Sequence, residues 1–291
     1  MIERIAVLGA GTMGHGIAHA ALTAGCETRL FDVSAEALHV ARTAIEHILA
    51  KGVELGKVAP AETPAMLGRL VTVEDLAGAV GGADLVIEAV PERLDLKLSL
   101  MARLDALAAP EAVIASNTSG LSITEMAAAV SRPGRVAGMH FFNPVPRMKL
   151  VEVVRGLETT PETLDTVVAV AQRMGKETVV VRESPGFVTS RINALIGNEA
   201  FYLLQEGVAS ARDIDRALRL GLNHPMGPFE LVDLVGLDTR LGVLEFLHAR
   251  LGEKYRPCPL LVQHVKAGRL GKKVGRGVYD YTAASLEPRG S

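Results

Sequence analysis

The sequence predicts an α/β first domain built on a mostly parallel sheet, followed by a smaller all-α C-terminal domain. Three observations carry this. Short apolar runs alternate with helical or turn-rich stretches up to about Arg182, the pattern of parallel strands joined by crossovers. A glycine-rich turn follows the first of these runs and opens a helix. Past Ser184-Pro185-Gly186 the strand signals fade and helical periodicity takes over. The boundary therefore falls at Ser184, giving residues 1–183 and 184–291.

The elements follow in order. Ile5-Ala6-Val7-Leu8 reads as the first strand, and an Ala-rich helix follows the Gly turn. Thr28 to Asp32 reads as the second strand, and Ser34 is suited to cap the long helix after it. Leu70–Val73, Leu85–Glu88, Ala112–Ala115 and Val136–Met139 are further short strands. Val151–Val154 and Thr178–Val181 flank a helix opened by Pro161, a favourable first-turn residue. In the second part, Phe187 to Gln205 reads as a helix closed at Gly207, and Ser210 caps the next, which ends near Gly221. Phe229 to Leu251 reads as one or two helices and Leu260 to Lys266 as another. Val278-Tyr279-Asp280-Tyr281 is the one strand-like run in the tail.

Bulk properties narrow the function classes. The chain has 291 residues, 48% of them apolar, which allows substantial cores, and a formal net charge of −2. That balance gives no electrostatic case for nucleic acid or an anionic membrane. Apolar runs are broken well before a spanning length. Met1-Ile2-Glu3-Arg4 leads straight into a strand, which predicts no signal peptide. Two widely separated cysteines, Cys26 and Cys258, fit a reduced, cytoplasmic setting. No His/Cys/Asp spacing suggests a metal.

Gly9-Ala10-Gly11-Thr12-Met13-Gly14 matches G-x-G-x-x-G in the context the motif requires, after a strand and opening a helix. Gly9 permits the tight turn, Gly11 lets a pyrophosphate approach the backbone, and Gly14 lets the helix pack closely. N–H groups at the helix start then face phosphate. Asp32 stands where an acid should accept hydrogen bonds from the adenine ribose hydroxyls, and it would repel a 2′-phosphate. The expected cofactor is NAD, on a Rossmann-type domain, with Gly9, Gly11, Thr12, Met13, Gly14 and Asp32 on the cofactor side.

His140 ends an apolar run and enters the Pro-punctuated segment Phe141-Phe142-Asn143-Pro144-Val145-Pro146. In Leu150-Val151-Glu152-Val153-Val154, strand alternation puts Glu152 on one face with Leu150 and Val154. A carboxylate on an apolar face needs a partner, and His140 is the candidate, as a general acid/base held by a carboxylate. By position alone a satisfied core histidine is the commoner case. The Gly loop upstream reverses that, because hydride transfer from an alcohol needs a base. His15 and His224 read as local turn or packing residues, and His19, His39, His47, His248 and His264 as solvated or packed helix positions.

Taken together, the motifs resemble the L-3-hydroxyacyl-CoA dehydrogenase family, including 3-hydroxybutyryl-CoA dehydrogenases. They are Gly9 to Gly14, Glu88-Ala89-Val90-Pro91-Glu92, Ser116-Asn117-Thr118-Ser119, His140 to Pro144, Lys149-Leu150-Val151-Glu152, Ser184 to Phe187, Pro225 to Glu230 and Gly271-Lys272-Lys273. They occur in the family's order and cover nearly the whole chain. The resemblance implies NAD-dependent, reversible oxidation of an (S)-3-hydroxyacyl-CoA to a 3-ketoacyl-CoA in fatty-acid or butanoate metabolism. It implies His140 as catalytic base, Glu152 as its carboxylate partner, Ser119 near the substrate oxygen and nicotinamide, and Asn143 beside the nicotinamide and the base. It further implies Glu92, Lys97 and Lys273 around the cofactor, and a homodimer formed largely by the helical domain, with the acyl-CoA held between the domains.

One departure stands out. Where the family has Asn-Arg after Pro-Gly-Phe, this chain has Ser190-Arg191. Ser190 has one short hydroxyl in place of an amide, so a substrate contact there runs directly or through water. Lys51 and Lys57 read as solvated helix-end charges rather than CoA ligands. Two other functions stay open on the residues alone: a hydroxy-acid dehydrogenase without CoA, and a non-catalytic NADH-binding module.

Overall fold

The computed structural model describes residues 2–282. The chain divides into two compact units, one ending at Ser184 and the next starting at Pro185.

The first unit carries eight strands: β1 (Arg4–Leu8), β2 (Glu27–Phe31), β3 (Leu70–Val73), β4 (Leu85–Glu88), β5 (Val113–Ser116), β6 (Val136–Phe141), β7 (Leu150–Arg155) and β8 (Glu177–Arg182). Its helices are α1 (Thr12–Thr23), α2 (Ala35–Glu54), α3 (Thr63–Gly68), α4 (Leu76–Val80), α5 (Leu94–Leu107), α6 (Ile123–Ala127) and α7 (Pro161–Arg173). The strands form one sheet in the order β3-β2-β1-β4-β5-β6-β7-β8. Every pair is parallel except β6–β7. The exception follows from length: residues 142–149 are too few for a crossover, so the chain must return antiparallel. All residues of β4, β5 and β6 are buried, as in a sheet covered on both faces, whereas β8 is a largely exposed edge.

Strand order reverses between β1 and β4, which are neighbours although β2 and β3 intervene in sequence. At such a switch point the carboxyl ends of the two strands diverge and leave a crevice. The Gly9–Gly14 turn follows β1, and Ala89 follows Glu88, the last residue of β4, so both lie at this crevice. The main core beneath includes Val7, Ile17, Leu30, Ile45, Leu85, Ile87, Met139 and Val153. Ser34 caps α2 by accepting from the Ala37 N–H, and Thr160 caps α7 ahead of Pro161.

The second unit is helical: α8 (Thr189–Gln205), α9 (Ala211–Gly221), α10 (Pro228–Val235), α11 (Leu237–Leu251) and α12 (Pro259–Lys266). Phe201 and Phe229 meet edge to face at 5.1 Å in its core. Helix α8 begins two residues later than its apolar pattern suggests. Gly186 (φ 73) and Phe187 (φ 47) are both left-handed, and a right-handed helix cannot start through them. The run from Phe229 to Leu251 is two helices, divided at Gly236 with φ 108.

The tail differs from expectation. Val278 to Tyr281 forms no strand, and only isolated bridges link Gly271 to Arg276 and Arg276 to Asp280. The backbone N–H groups that a ladder would use are taken by a buried carboxylate. Asp233, with no exposed surface, accepts from the Val278 and Tyr279 N–H groups at 2.8 and 2.9 Å and from the Tyr281 hydroxyl at 3.0 Å. Among the described residues no helix is long and apolar enough to cross a membrane.

Candidate active site

The glycine turn is shaped by steric necessity. Gly9 has φ 102, and a Cβ there would lie 2.7 Å from the Ala89 carbonyl oxygen, so β1 and the end of β4 meet backbone to backbone. A Cβ on Gly14 would fall 1.7 Å from the Gly9 oxygen, so only glycine lets α1 sit on the turn. At Gly11 the space is open. No side chain caps α1 and no acid lies in its first turn. Within the helix itself nothing offsets its first N–H donors or its dipole, an arrangement suited to receive a phosphate. The strand β2 ends at Phe31, and Asp32 follows it with its carboxylate bracing the turn. One oxygen accepts from the Ala10 N–H at 2.8 Å and the other from the Ser34 N–H at 3.0 Å. A carboxylate offers about four acceptor positions, so capacity for ribose hydroxyls remains. Val33 beside it is 82% exposed and brings no cation. These residues fit a dinucleotide without a 2′-phosphate.

His140 and Glu152 stand directly opposite one another across the antiparallel β6–β7 pair. The imidazole Nδ1 lies 2.7 Å from Glu152 Oε2, and the Glu152 side chain is wholly buried. A buried carboxylate at that distance requires a donor, which places a hydrogen on Nδ1 and makes Nε2 the acceptor nitrogen of the neutral ring. The Phe142 ring packs on the imidazole with centroids 4.3 Å apart. The carboxylate thus sets both tautomer and orientation, and stabilises the imidazolium once a proton is taken.

Around Ser119 the structure holds a network that sequence reasoning missed in part. Lys97, on α5, has no exposed side-chain surface and donates to both Glu88 oxygens at 2.7 and 2.8 Å. Its ammonium also lies 3.3 Å from Glu92 Oε2. Burial pushes the Glu88 carboxyl upward, while Lys97, the Ser116 hydroxyl and the Val90 N–H pull it back. Those three groups are donors, and they are best satisfied by an ionised Glu88. Glu92 Oε1 in turn accepts from the Thr118 hydroxyl (2.6 Å) and from the Ser119 N–H (2.8 Å) and hydroxyl (3.1 Å). Lys97 therefore reaches the site through Glu92 in this arrangement, rather than by presenting its ammonium at the surface. The missed signal was Glu88, an acid ending the apolar run Leu85-Val86-Ile87, the same kind of cue that singled out Glu152.

Asn143 is exposed in the β6–β7 loop, three residues after His140, and precedes a cis proline. That loop is stapled by Lys176, which donates to the Val145 and Met148 carbonyls at 2.5 and 2.9 Å. Desolvation holds the Lys176 ammonium below its ordinary value. Gly16 of α1 leaves the room that Val145 fills, since a Cβ there would lie 2.8 Å from Val145 Cβ. Helix α1, with Thr12 and Met13 in its first turn, and the loop bearing Asn143 are thus packed together within the first unit.

In the second unit, Ser190 is the second residue of α8 and is partly exposed. Arg191 beside it donates to the Tyr255 hydroxyl at 2.8 Å. Lys273 lies 2.6 Å from both oxygens of Asp238. Among the described residues no group of three or more His, Cys, Asp or Glu is arranged to hold a metal.

Residues 4–184 match the family described as 3-hydroxyacyl-CoA dehydrogenase, NAD binding domain, and residues 186–281 the 3-hydroxyacyl-CoA dehydrogenase C-terminal domain. A Bacillus subtilis protein named a probable 3-hydroxybutyryl-CoA dehydrogenase is 50% identical over 281 residues, 96% of this chain and 98% of its own. The 3-hydroxybutyryl-CoA dehydrogenase of Bradyrhizobium diazoefficiens is 44% identical over 289 residues, 99% of this chain and 98% of its own. Among solved structures, the (S)-3-hydroxybutyryl-CoA dehydrogenase PaaH1 from Ralstonia eutropha superposes with a TM-score of 0.94 at 42% identity. It covers 97% of this chain and all of its own.

Proposed function

Because the chain belongs to the 3-hydroxyacyl-CoA dehydrogenase family, we propose that it catalyses the NAD-dependent, reversible oxidation of an (S)-3-hydroxyacyl-CoA to the 3-ketoacyl-CoA, with 3-hydroxybutyryl-CoA as a substrate. The observation that carries this reading is the His140–Glu152 pair at 2.7 Å, in the same compact unit as the Gly9–Gly14 turn and Asp32.

Bound NAD supplies a hydride acceptor. Everything else falls to side chains. The turn from Gly9 to Gly14, through Thr12 and Met13, receives the pyrophosphate, and Asp32 accepts from the adenine ribose. His140 Nε2 takes the proton of the 3-hydroxyl as C3 is oxidised, and Glu152 stabilises the resulting imidazolium. In the reverse direction the imidazolium returns that proton to the forming alkoxide. Ser119 and Asn143 hold oxygens of substrate or cofactor so that C3 faces the nicotinamide. Glu92, backed by Lys97, keeps Ser119 in place. The family resemblance assigns Ser190 to the substrate and Lys273 to the cofactor, and both residues belong to the second unit.

The chain acts in the cytoplasm as a homodimer on this reading. Apolar side chains exposed on the second unit support the dimer: Leu220 at 75%, Leu222 at 66% and Val208 at 63%. Leu220 and Leu222 are neighbours at the end of α9, where a partner surface would cover them.

Comparing NADH formation on (S)-3-hydroxyacyl-CoA thioesters of graded length with that on free 3-hydroxybutyrate tests the substrate class. Turnover on a thioester and little on the free acid is expected. Equal specificity constants for the two would point instead to a hydroxy-acid dehydrogenase without CoA.

A further inference from the structure

The ladder between β5 and β6 stops short of the site. Its last rung pairs Ser116 with Gly138, whereas β6 runs on through Met139 and His140 to Phe141 while still paired with β7 on its other edge. A buried N–H on the β5 side of that extension needs an acceptor. Phe141 is 2% exposed, and its nitrogen lies 3.0 Å from Asn117 Oδ1. A backbone N–H can only donate, so the atom facing it is the amide oxygen.

A backbone rung is not available at this point because the chain turns away after Asn117. The Thr118 hydroxyl accepts from the N–H groups of Gly120 and Leu121 at 3.3 and 2.9 Å and bends the segment. Asn117 is itself anchored through its main chain. Its N–H donates to the Glu88 carbonyl at 2.7 Å, and its carbonyl lies 3.3 Å from Lys97 Nζ. One residue thus ties the strand bearing His140 to the segment bearing Ser119, and both to the buried Glu88–Lys97 pair.

We propose that Asn117 is a positioning residue: its side-chain oxygen replaces the missing rung and sets the spacing of His140 relative to Ser119. The kinetic part of this proposal rests on the dehydrogenase reading above. A base displaced by about 1 Å can lose about 10²-fold in rate, so the effect belongs in kcat and not in ligand binding.

The test compares Asn117→Leu, which keeps the size and removes the acceptor, with Asn117→Asp, which keeps an acceptor. Two quantities are read on the full chain: hydrogen exchange at the Phe141 amide, and steady-state kinetics with (S)-3-hydroxybutyryl-CoA and NAD. Asn117→Leu should lose protection at Phe141 and lower kcat by about 10- to 100-fold, with both KM values within about threefold. Asn117→Asp should keep the protection and most of the turnover. Asn117→Ala is read in the same way should the leucine variant not fold. Unchanged protection at Phe141 in the acceptor-free variant, or a loss carried by KM with kcat intact, would overturn the proposal. An inactive wild type would sink the dehydrogenase reading alone, and the exchange measurement would still decide the rung.

Discussion

Two lysines that each pair with a carboxylate have unequal energetic weight. Lys97 is wholly buried on Glu88, whereas Lys273 and Asp238 are 46% and 40% exposed. Removing one partner of a buried pair leaves an uncompensated charge, so Lys97→Met should lower unfolding stability by about 3–5 kcal/mol. Lys273→Met should cost no more than about 1 kcal/mol, because solvent screens that pair. Denaturant unfolding of both variants checks this, and equal losses would contradict the burial argument. A sequence reading cannot separate them: a lysine nine residues after a strand-end acid looks like any surface lysine until the helix folds over the strand. Asp32 and the three glycines were legible because their geometry is local and their spacing encodes it. Glu152 was legible as a carboxylate on an apolar strand face, but the direct opposition to His140 depends on register between strands.

At the glycine turn, β1 and the end of β4 meet backbone to backbone. The glycine turn permits two separable tests. A Cβ on Gly14 would collide with the Gly9 carbonyl at 1.7 Å, so Gly14→Ala must distort the turn and lose both stability and NADH affinity. A Cβ on Gly11 meets nothing within 4 Å. Gly11→Ala should therefore leave the unfolding midpoint unchanged and weaken NADH binding by about tenfold or more, or about 1.4 kcal/mol, by blocking approach of the pyrophosphate. Fluorescence titration with NADH and thermal unfolding separate the two outcomes. Unaltered affinity in both variants would place the dinucleotide elsewhere. At this scale the tail was the misleading element. Its Val-Tyr-Asp-Tyr run has strand composition, yet the N–H groups of Val278 and Tyr279 belong to Asp233, more than forty residues earlier. Composition carries no trace of a buried carboxylate reaching in from another helix.

The stability of the molecule should also depend on pH in a defined window. His19 on α1 is held down to about 4, chiefly by desolvation and further by the charge of Lys176 and by His15. Its Nδ1 has no hydrogen-bond partner. Since the folded value lies below the unfolded one, the stabilisation is present above pH about 6.5 and is lost as pH falls toward 4. The displacement corresponds to at most about 3 kcal/mol. The wild-type midpoint should fall across that window, and His19→Gln should flatten the fall. An equal slope in the variant would assign the acid sensitivity to other groups.

The fold class of the whole chain was legible because alternation of strand and helix in the first unit and helical periodicity in the second are properties of long segments. The Lys176 staple and the Glu88 network were not, since they join residues that only the folded sheet brings together. His140, held by Glu152, is the base we propose for an NAD-dependent 3-hydroxyacyl-CoA dehydrogenase. The most direct test of that role is NADH formation from (S)-3-hydroxybutyryl-CoA by wild-type protein and by His140→Gln, with NADH affinity measured on both. The wild type should turn over, and the variant should lose about 10²–10⁴-fold in kcat while binding NADH normally. Near-normal turnover in His140→Gln would contradict the claim.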